Sequence, residues 1–143
     1  MDIKYIVVHR TESKFGDIKL VDKWHRERGF DMCGYHWLID NCFPTAASWR
    51  DRKPVFKNDG KIEIGRVFGT RGAHCKGFNN ESVGIALVGM RDFTSKQYTS
   101  LAHLIRRVKD AYPDAEVVGH YELNPEKPNC PSINMDYLRG LLG

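Results

Sequence analysis

Ser82-Val83-Gly84-Ile85-Ala86-Leu87-Val88-Gly89 is an almost unbroken apolar run bounded by turn residues. A run of this length with no polar alternation reads as a strand covered on both faces, the kind found at the centre of a parallel sheet. Lys4 to His9, with Tyr5-Ile6-Val7-Val8 at its heart, has the same character, and Val117-Val118 supplies a third short strand. Helical spacing separates them. Gly16-Asp17 offers a cap before Ile18, Val21 and Trp24, and Gly29 a stop. Thr94 and Gln97 form a capping-box pattern ahead of the stripe Tyr98, Leu101, Ile105, Val108 and Tyr112, and Met135, Leu138 and Leu142 outline a short C-terminal helix. Gly34 to Ile39 and Lys61 to Ile64 read as further strands, with Asn41 to Asn58 irregular between them. Strands interleaved with helices predict an α/β fold, a central mixed β-sheet flanked by α-helices on both faces.

Length and composition bound the rest. With 143 residues, 41% of them hydrophobic, the chain has material for one core, so a single domain over residues 1–143 is expected. The N-terminus has no basic leader or apolar signal core, and no segment approaches a membrane span, so synthesis in the cytoplasm without membrane insertion is expected. In that compartment Cys33, Cys42, Cys75 and Cys130 are expected as free thiols or metal ligands rather than disulfides. The formal charge of +4 favours anionic partners. Basic residues crowd at Arg50-Asp51-Arg52-Lys53 and Arg106-Arg107-Val108-Lys109, but no nucleic-acid motif accompanies them and no nucleic-acid partner is expected.

Chemistry concentrates in three residues. His9 closes the first strand, His120 follows Glu116-Val117-Val118-Gly119, and Cys130 lies shortly behind. Two imidazoles and a thiolate form a three-ligand set for Zn2+ that leaves the fourth tetrahedral position open, as catalytic rather than structural zinc sites do. Hydrolysis also requires groups that orient water, stabilise an oxyanion and protonate a leaving nitrogen. By position the candidates are Tyr35, near the start of a strand expected to neighbour the one carrying His9, and Lys127, on the loop before Cys130. His25, His36 and His103 read as structural.

At these residues the chain resembles the type 2 N-acetylmuramoyl-L-alanine amidases, the family that includes amidase-type phage lysozymes and the peptidoglycan recognition proteins. The resemblance is carried by a collinear set: Val7-Val8-His9, Lys23-Trp24-His25, Gly34-Tyr35-His36-Trp37-Leu38-Ile39, Asp59-Gly60 leading to Gly65-Arg66, Gly72-Ala73-His74, Gly77-Phe78-Asn79, Ser82-Val83-Gly84-Ile85, Gly119-His120 and Cys130-Pro131. It implies one zinc ion held by His9, His120 and Cys130, with Tyr35 catalytic. The family's catalytic lysine maps approximately onto Lys127, and His74, Asn79 and Arg66 map onto substrate-binding positions. The implied reaction is cleavage of the amide between N-acetylmuramic acid and L-alanine in peptidoglycan.

Three departures stand out: a longer His120 to Cys130 loop, the Asn41 to Asn58 segment, read as covering a core edge, and the expectation that no separate wall-binding module accompanies the catalytic domain. Together these features imply a monomeric phage endolysin that reaches the periplasmic wall after another protein permeabilises the membrane. The alternatives are a non-catalytic peptidoglycan-binding module and a cytoplasmic amidase that recycles anhydro-muropeptides. Cys130 weighs against both, because inactive family members usually lack the thiolate and recycling amidases usually carry aspartate there.

Overall fold

The computed structural model describes residues 1–142. In chain order its elements are β1 (Tyr5–Arg10), α1 (Ile18–Glu27), β2 (Trp37–Ile39), α2 (Ala46–Arg50), β3 (Ile62–Ile64), β4 (Ser82–Leu87), α3 (Ser95–Ala111), β5 (Glu116–Gly119), α4 (His120–Leu123) and α5 (Met135–Leu141). The strands form one mixed sheet in the order β3-β2-β4-β1-β5, parallel except for the antiparallel β2–β3 pair. The run 82–89 that anchors the sequence reading supplies the central strand β4, buried along its whole length.

Side-chain alternation sorts the two faces of the sheet. Ile6 and Val8 of β1 with Val83, Ile85 and Leu87 of β4 pack against Leu101, Leu104, Ile105 and Val108 of α3 and Met135 and Leu138 of α5. At ~1.5–3 kcal/mol per fully buried large apolar side chain, this face supplies most of the hydrophobic stabilisation. The opposite face is thinner. Leu38 and Ala86 meet Val21 and Trp24 of α1, while Val7 and Val118 meet Cys75 and Phe78. His9 lies two residues beyond Val7 and therefore points to this second face, opposite Ala86 in the β1–β4 register.

The caps are where the sequence places them. Asp17 Oδ1 accepts the Leu20 N–H at 2.9 Å, Thr94 and Gln97 form a reciprocal box, and Gly29 closes α1 with φ +96°. All four cysteines are free thiols. Among the described residues no helix is long and apolar enough to cross a membrane.

Three expectations need correction. The strand expected from Gly34 begins only at Trp37, because Gly34 gives its N–H to the His25 ring and its carbonyl to Ala73 rather than joining a ladder. That strand neighbours β4 and β3, not β1. The segment 41–58 is not irregular throughout. Thr45 and Ser48 cap the short α2, a 3₁₀ turn spans Phe56–Asn58, and Trp49 packs edge-on against Phe43 with Arg52 over its ring at 4.3 Å. Beyond its own segment Trp49 meets the Lys14 ammonium, 5.2 Å from its ring, and Phe56 stands exposed, so this segment covers a core edge only in part. Asp40, just past β2, is buried with no hydrogen-bond partner on either carboxylate oxygen among the described residues.

Candidate active site and metal centre

The parallel pairing of β1 with β5 places Val8 opposite Gly119, so the next residues, His9 and His120, emerge side by side at the carboxyl ends of adjacent strands. Crevices at such strand ends are the usual ligand sites of parallel sheets. The two rings lie 4.5 Å apart between centroids. The loop after α4 returns Cys130 to them, with Sγ 3.9 Å from His9 Nδ1. One donor atom from each of the three residues falls within 4.8 Å of the others. Zn–N and Zn–S bonds of about 2.0–2.3 Å in a tetrahedron would set neighbouring donors roughly 3.4–3.6 Å apart, so the 3.9 Å His9–Cys130 pair needs to close by only a few tenths of an ångström and no pair by more than roughly 1.4 Å. The donor set has the softness zinc prefers, and burial favours its metal-ready form at the histidines. Desolvation holds His9 well below the usual imidazole range, and His120 is lowered by burial and then by the Lys127 charge. Cys130 is pushed up by burial, against which the Arg10 backbone N–H and the charges of Arg10 and Lys127 pull it down.

A cleft of about 490 Å³ opens over these residues. Tyr35 and Lys127 both line it. Tyr35 reaches it from across β4, packed against the cluster that includes Ala86, and brings its ring to 5.1 Å from that of His9. Burial pushes the Tyr35 phenol far above its ordinary range, so it is a proton donor at neutral pH, not a phenolate. Lys127 is exposed at the rim on a turn closed by its N–H to Asn124 and by the Cys130 N–H to its own carbonyl. Its charge is felt by both His120 and Cys130. The cleft is lined by five basic residues, Arg10, Arg28, Arg71, Lys76 and Lys127, against Glu12 and Glu126, with the Arg10 guanidinium spent on the Met90 carbonyl and Glu12.

The three residues mapped as substrate-binding separate on inspection. Arg66 does not line the cleft. Its guanidinium braces the loop beneath, bonding the carbonyls of Cys33 and Arg71 and the Asp31 carboxylate. His74 borders the cleft but is buried, with Nδ1 2.9 Å from His9 Nε2 and Nε2 3.2 Å from Ser82 Oγ, so both ring nitrogens are engaged within the protein. Asn79 spends its side-chain oxygen on the backbone N–H groups of His74 and Cys75, leaving its amide NH2 for the cleft.

His25 and His36 have structural bonds. His25 Nδ1 accepts the Gly34 N–H beside Tyr35, and His36 joins the Gly84 N–H to the Thr70 carbonyl. His103 stands exposed on α3. Sequence reasoning missed Arg10, Ser82 and Asn124. Asn124 Nδ2 lies 3.2 Å from His120 Nε2, a contact that the i, i+4 spacing from His120 could have signalled. Ser82 and Arg10 carry no such pattern.

The chain is 31% identical over 141 residues to an endolysin of Escherichia phage T7, covering 91% of this chain and 81% of that protein. It is 30% identical over 126 residues to an endolysin of Klebsiella phage KP32, covering 82% and 71%. The fold superposes on the N-acetylmuramoyl-L-alanine amidase LysC from Clostridium intestinale with a TM-score of 0.80 at 24% identity, covering 99% of this chain and 86% of that one. Residues 1–133 match the family described as N-acetylmuramoyl-L-alanine amidase, a span that takes in both histidines, the thiol and the cleft they face, and the chain belongs to that family.

Proposed function

We propose that this chain is a zinc-dependent N-acetylmuramoyl-L-alanine amidase that hydrolyses the bond between the lactyl carbonyl of N-acetylmuramic acid and the L-alanine of the peptidoglycan stem, and that it serves as a phage endolysin. The convergence of His9, His120 and Cys130 on the floor of a basic cleft, in a member of this family, carries the reading. These three side chains would hold the ion, which supplies Lewis acidity at an open coordination position.

The remaining work falls to the chain itself. Tyr35, kept protonated by burial, donates a hydrogen bond to oxygen at the reacting carbon. Lys127 places an exposed ammonium at the rim, where it offsets the negative charge that develops on the carbonyl oxygen and can hand a proton to the departing amine. The amide NH2 of Asn79 and the cations Arg28, Arg71 and Lys76 offer donors to the carbonyls and carboxylates of the stem peptide. Every one of these groups comes from one chain, so a monomer suffices. The two phage relatives are endolysins. By that likeness the chain accumulates in the infected cell and reaches the wall once the membrane is breached.

The test is mass spectrometry of purified Gram-negative sacculi digested with the zinc-loaded protein. Stem peptides with free L-alanine N-termini and muramic acid with a free lactyl carboxylate are expected, with Tyr35→Phe slower by about 10²–10³-fold. Binding to sacculi without release of stem peptide, or cleavage restricted to soluble anhydro-muropeptides, would overturn the proposal.

A further inference from the structure

His74 is buried between two glycines: a Cβ at Gly84 would stand 2.5 Å from its Cγ, and one at Gly72 would stand 2.6 Å from its Cδ2. Its backbone is pinned by Asn79 Oδ1, 2.9 Å from the His74 N–H. An imidazole clamped this way cannot swing into the cleft, yet its two nitrogens join a continuous line of hydrogen bonds. Ser82 Oγ lies 2.8 Å from the Phe78 carbonyl and 3.2 Å from His74 Nε2, and His74 Nδ1 lies 2.9 Å from His9 Nε2.

The direction of the line is set at its far end. Two oxygens 2.8 Å apart need a proton between them, and a carbonyl has none, so the Ser82 hydroxyl donates to Phe78. With its only proton committed, Ser82 Oγ accepts from His74 Nε2–H. A neutral imidazole that donates at Nε2 accepts at Nδ1, so the proton of the His9–His74 contact belongs to His9 Nε2. The lone pair of His9 is thereby left on Nδ1, the nitrogen 3.9 Å from Cys130 Sγ.

We propose that His74 and Ser82 are positioning residues that fix His9 in the Nε2–H tautomer, with Nδ1 turned as a ready electron-pair donor into the metal site. If the line ran the other way, His9 would present an N–H to the ion and would have to lose or move that proton before it could bind. Partners of this kind orient a ligating imidazole and raise its basicity, and their loss typically lowers metal affinity about 10–100-fold. The inference rests on the metal-site reading above, and its test separates the two.

Long-range ¹H–¹⁵N correlation spectra of the metal-free protein report the histidine tautomers without any metal. His9 and His74 are both expected as Nε2–H forms, and Ser82→Ala should mix the His74 population. Zinc affinity, read by chelator competition on the folded variants, should fall about 10–100-fold in His74→Leu and less in Ser82→Ala. His74→Asn, whose Oδ1 falls near the position of Nδ1, should recover most of it. A metal-free His9 protonated on Nδ1, or a folded His74→Leu that keeps its zinc affinity within twofold, overturns the assignment. A wild-type chain that shows the Nε2–H tautomer but binds no zinc would refute the metal reading and leave the tautomer assignment standing.

Discussion

One added methyl group, Gly84→Ala, tests how tightly the second face of the sheet is organised around the site. The new Cβ would stand 2.5 Å from His74 Cγ and 2.7 Å from its Cδ2 and Nδ1, where ordinary carbon contacts begin at about 3.5 Å. The ring must retreat by roughly 1 Å, enough to take a 2.9 Å contact with His9 out of hydrogen-bond range. Overpacking of this kind costs about 1–3 kcal/mol and the lost hydrogen bond about 0.5–1.5, less ~0.5–1 recovered because alanine is easier to order in a strand than glycine. The net expectation is a destabilisation of about 0.5–4 kcal/mol. Urea denaturation of the metal-free protein, with a slope of about 1–3 kcal/mol per molar, should show the midpoint falling by roughly 1 M. Zinc affinity should fall in the same variant. An unchanged midpoint together with unchanged affinity would show that His74 is not held against β4 as described, and the argument built on its packing would fail.

Metal removal should be visible in stability: zinc at a hundredfold excess over its dissociation constant adds ~2.7 kcal/mol, about 5–11 °C in melting temperature for a domain of this size, and Cys130→Ser should lose most of it in a thermal melt with and without chelator. Burial, reinforced by Glu63, raises the Asp40 carboxyl from 3.8 to about 9. Between those values the folded state holds a proton that the unfolded chain has released, so this group's contribution to stability is complete below pH 4 and declines as pH rises towards 9. Asp40→Asn should flatten that decline in denaturant midpoints taken from pH 5 to 9, and a wild-type midpoint that falls no more steeply over this range than that of Asp40→Asn would refute it. Thr94→Ala removes both the α3 cap and a 2.7 Å hydrogen bond to Asp59, for a loss of about 1–2 kcal/mol with hydrolysis of sacculi unchanged under conditions where the variant is folded.

The legible parts of this molecule are those where a local pattern has one physical solution. The apolar runs at 4–9 and 82–89 are buried as interior strands of the sheet and the shorter run at 117–118 as its β5 edge, and the caps at Asp17 and Thr94 announce their helices. His9 and His120 were legible for the same reason, since each ends such a run, and parallel pairing then sets them side by side. What could not be read depends on contacts between distant segments. Nothing around Arg66 signals that its guanidinium is consumed by Cys33, Arg71 and Asp31. Nothing near Gly84 signals that its missing side chain is the space a histidine ten residues earlier occupies. Tyr35 was assigned the right cleft through the wrong neighbour, because periodicity gives a strand's faces but not its place in the sheet. The helix at 46–50 was missed although Thr45 and Ser48 could have marked its start, because a Ser at the third position is a weaker capping signal than Glu or Gln.

The central claim, that His9, His120 and Cys130 together hold one zinc ion, is tested most directly by anomalous diffraction at the zinc edge from crystals of the purified, zinc-equilibrated protein. One anomalous peak per chain is predicted, at about 2.0–2.3 Å from His9 Nδ1, a His120 ring nitrogen and Cys130 Sγ, with a fourth position not filled by protein. A peak bound to any other set of residues, or full zinc exposure with no peak between these three side chains, would contradict it.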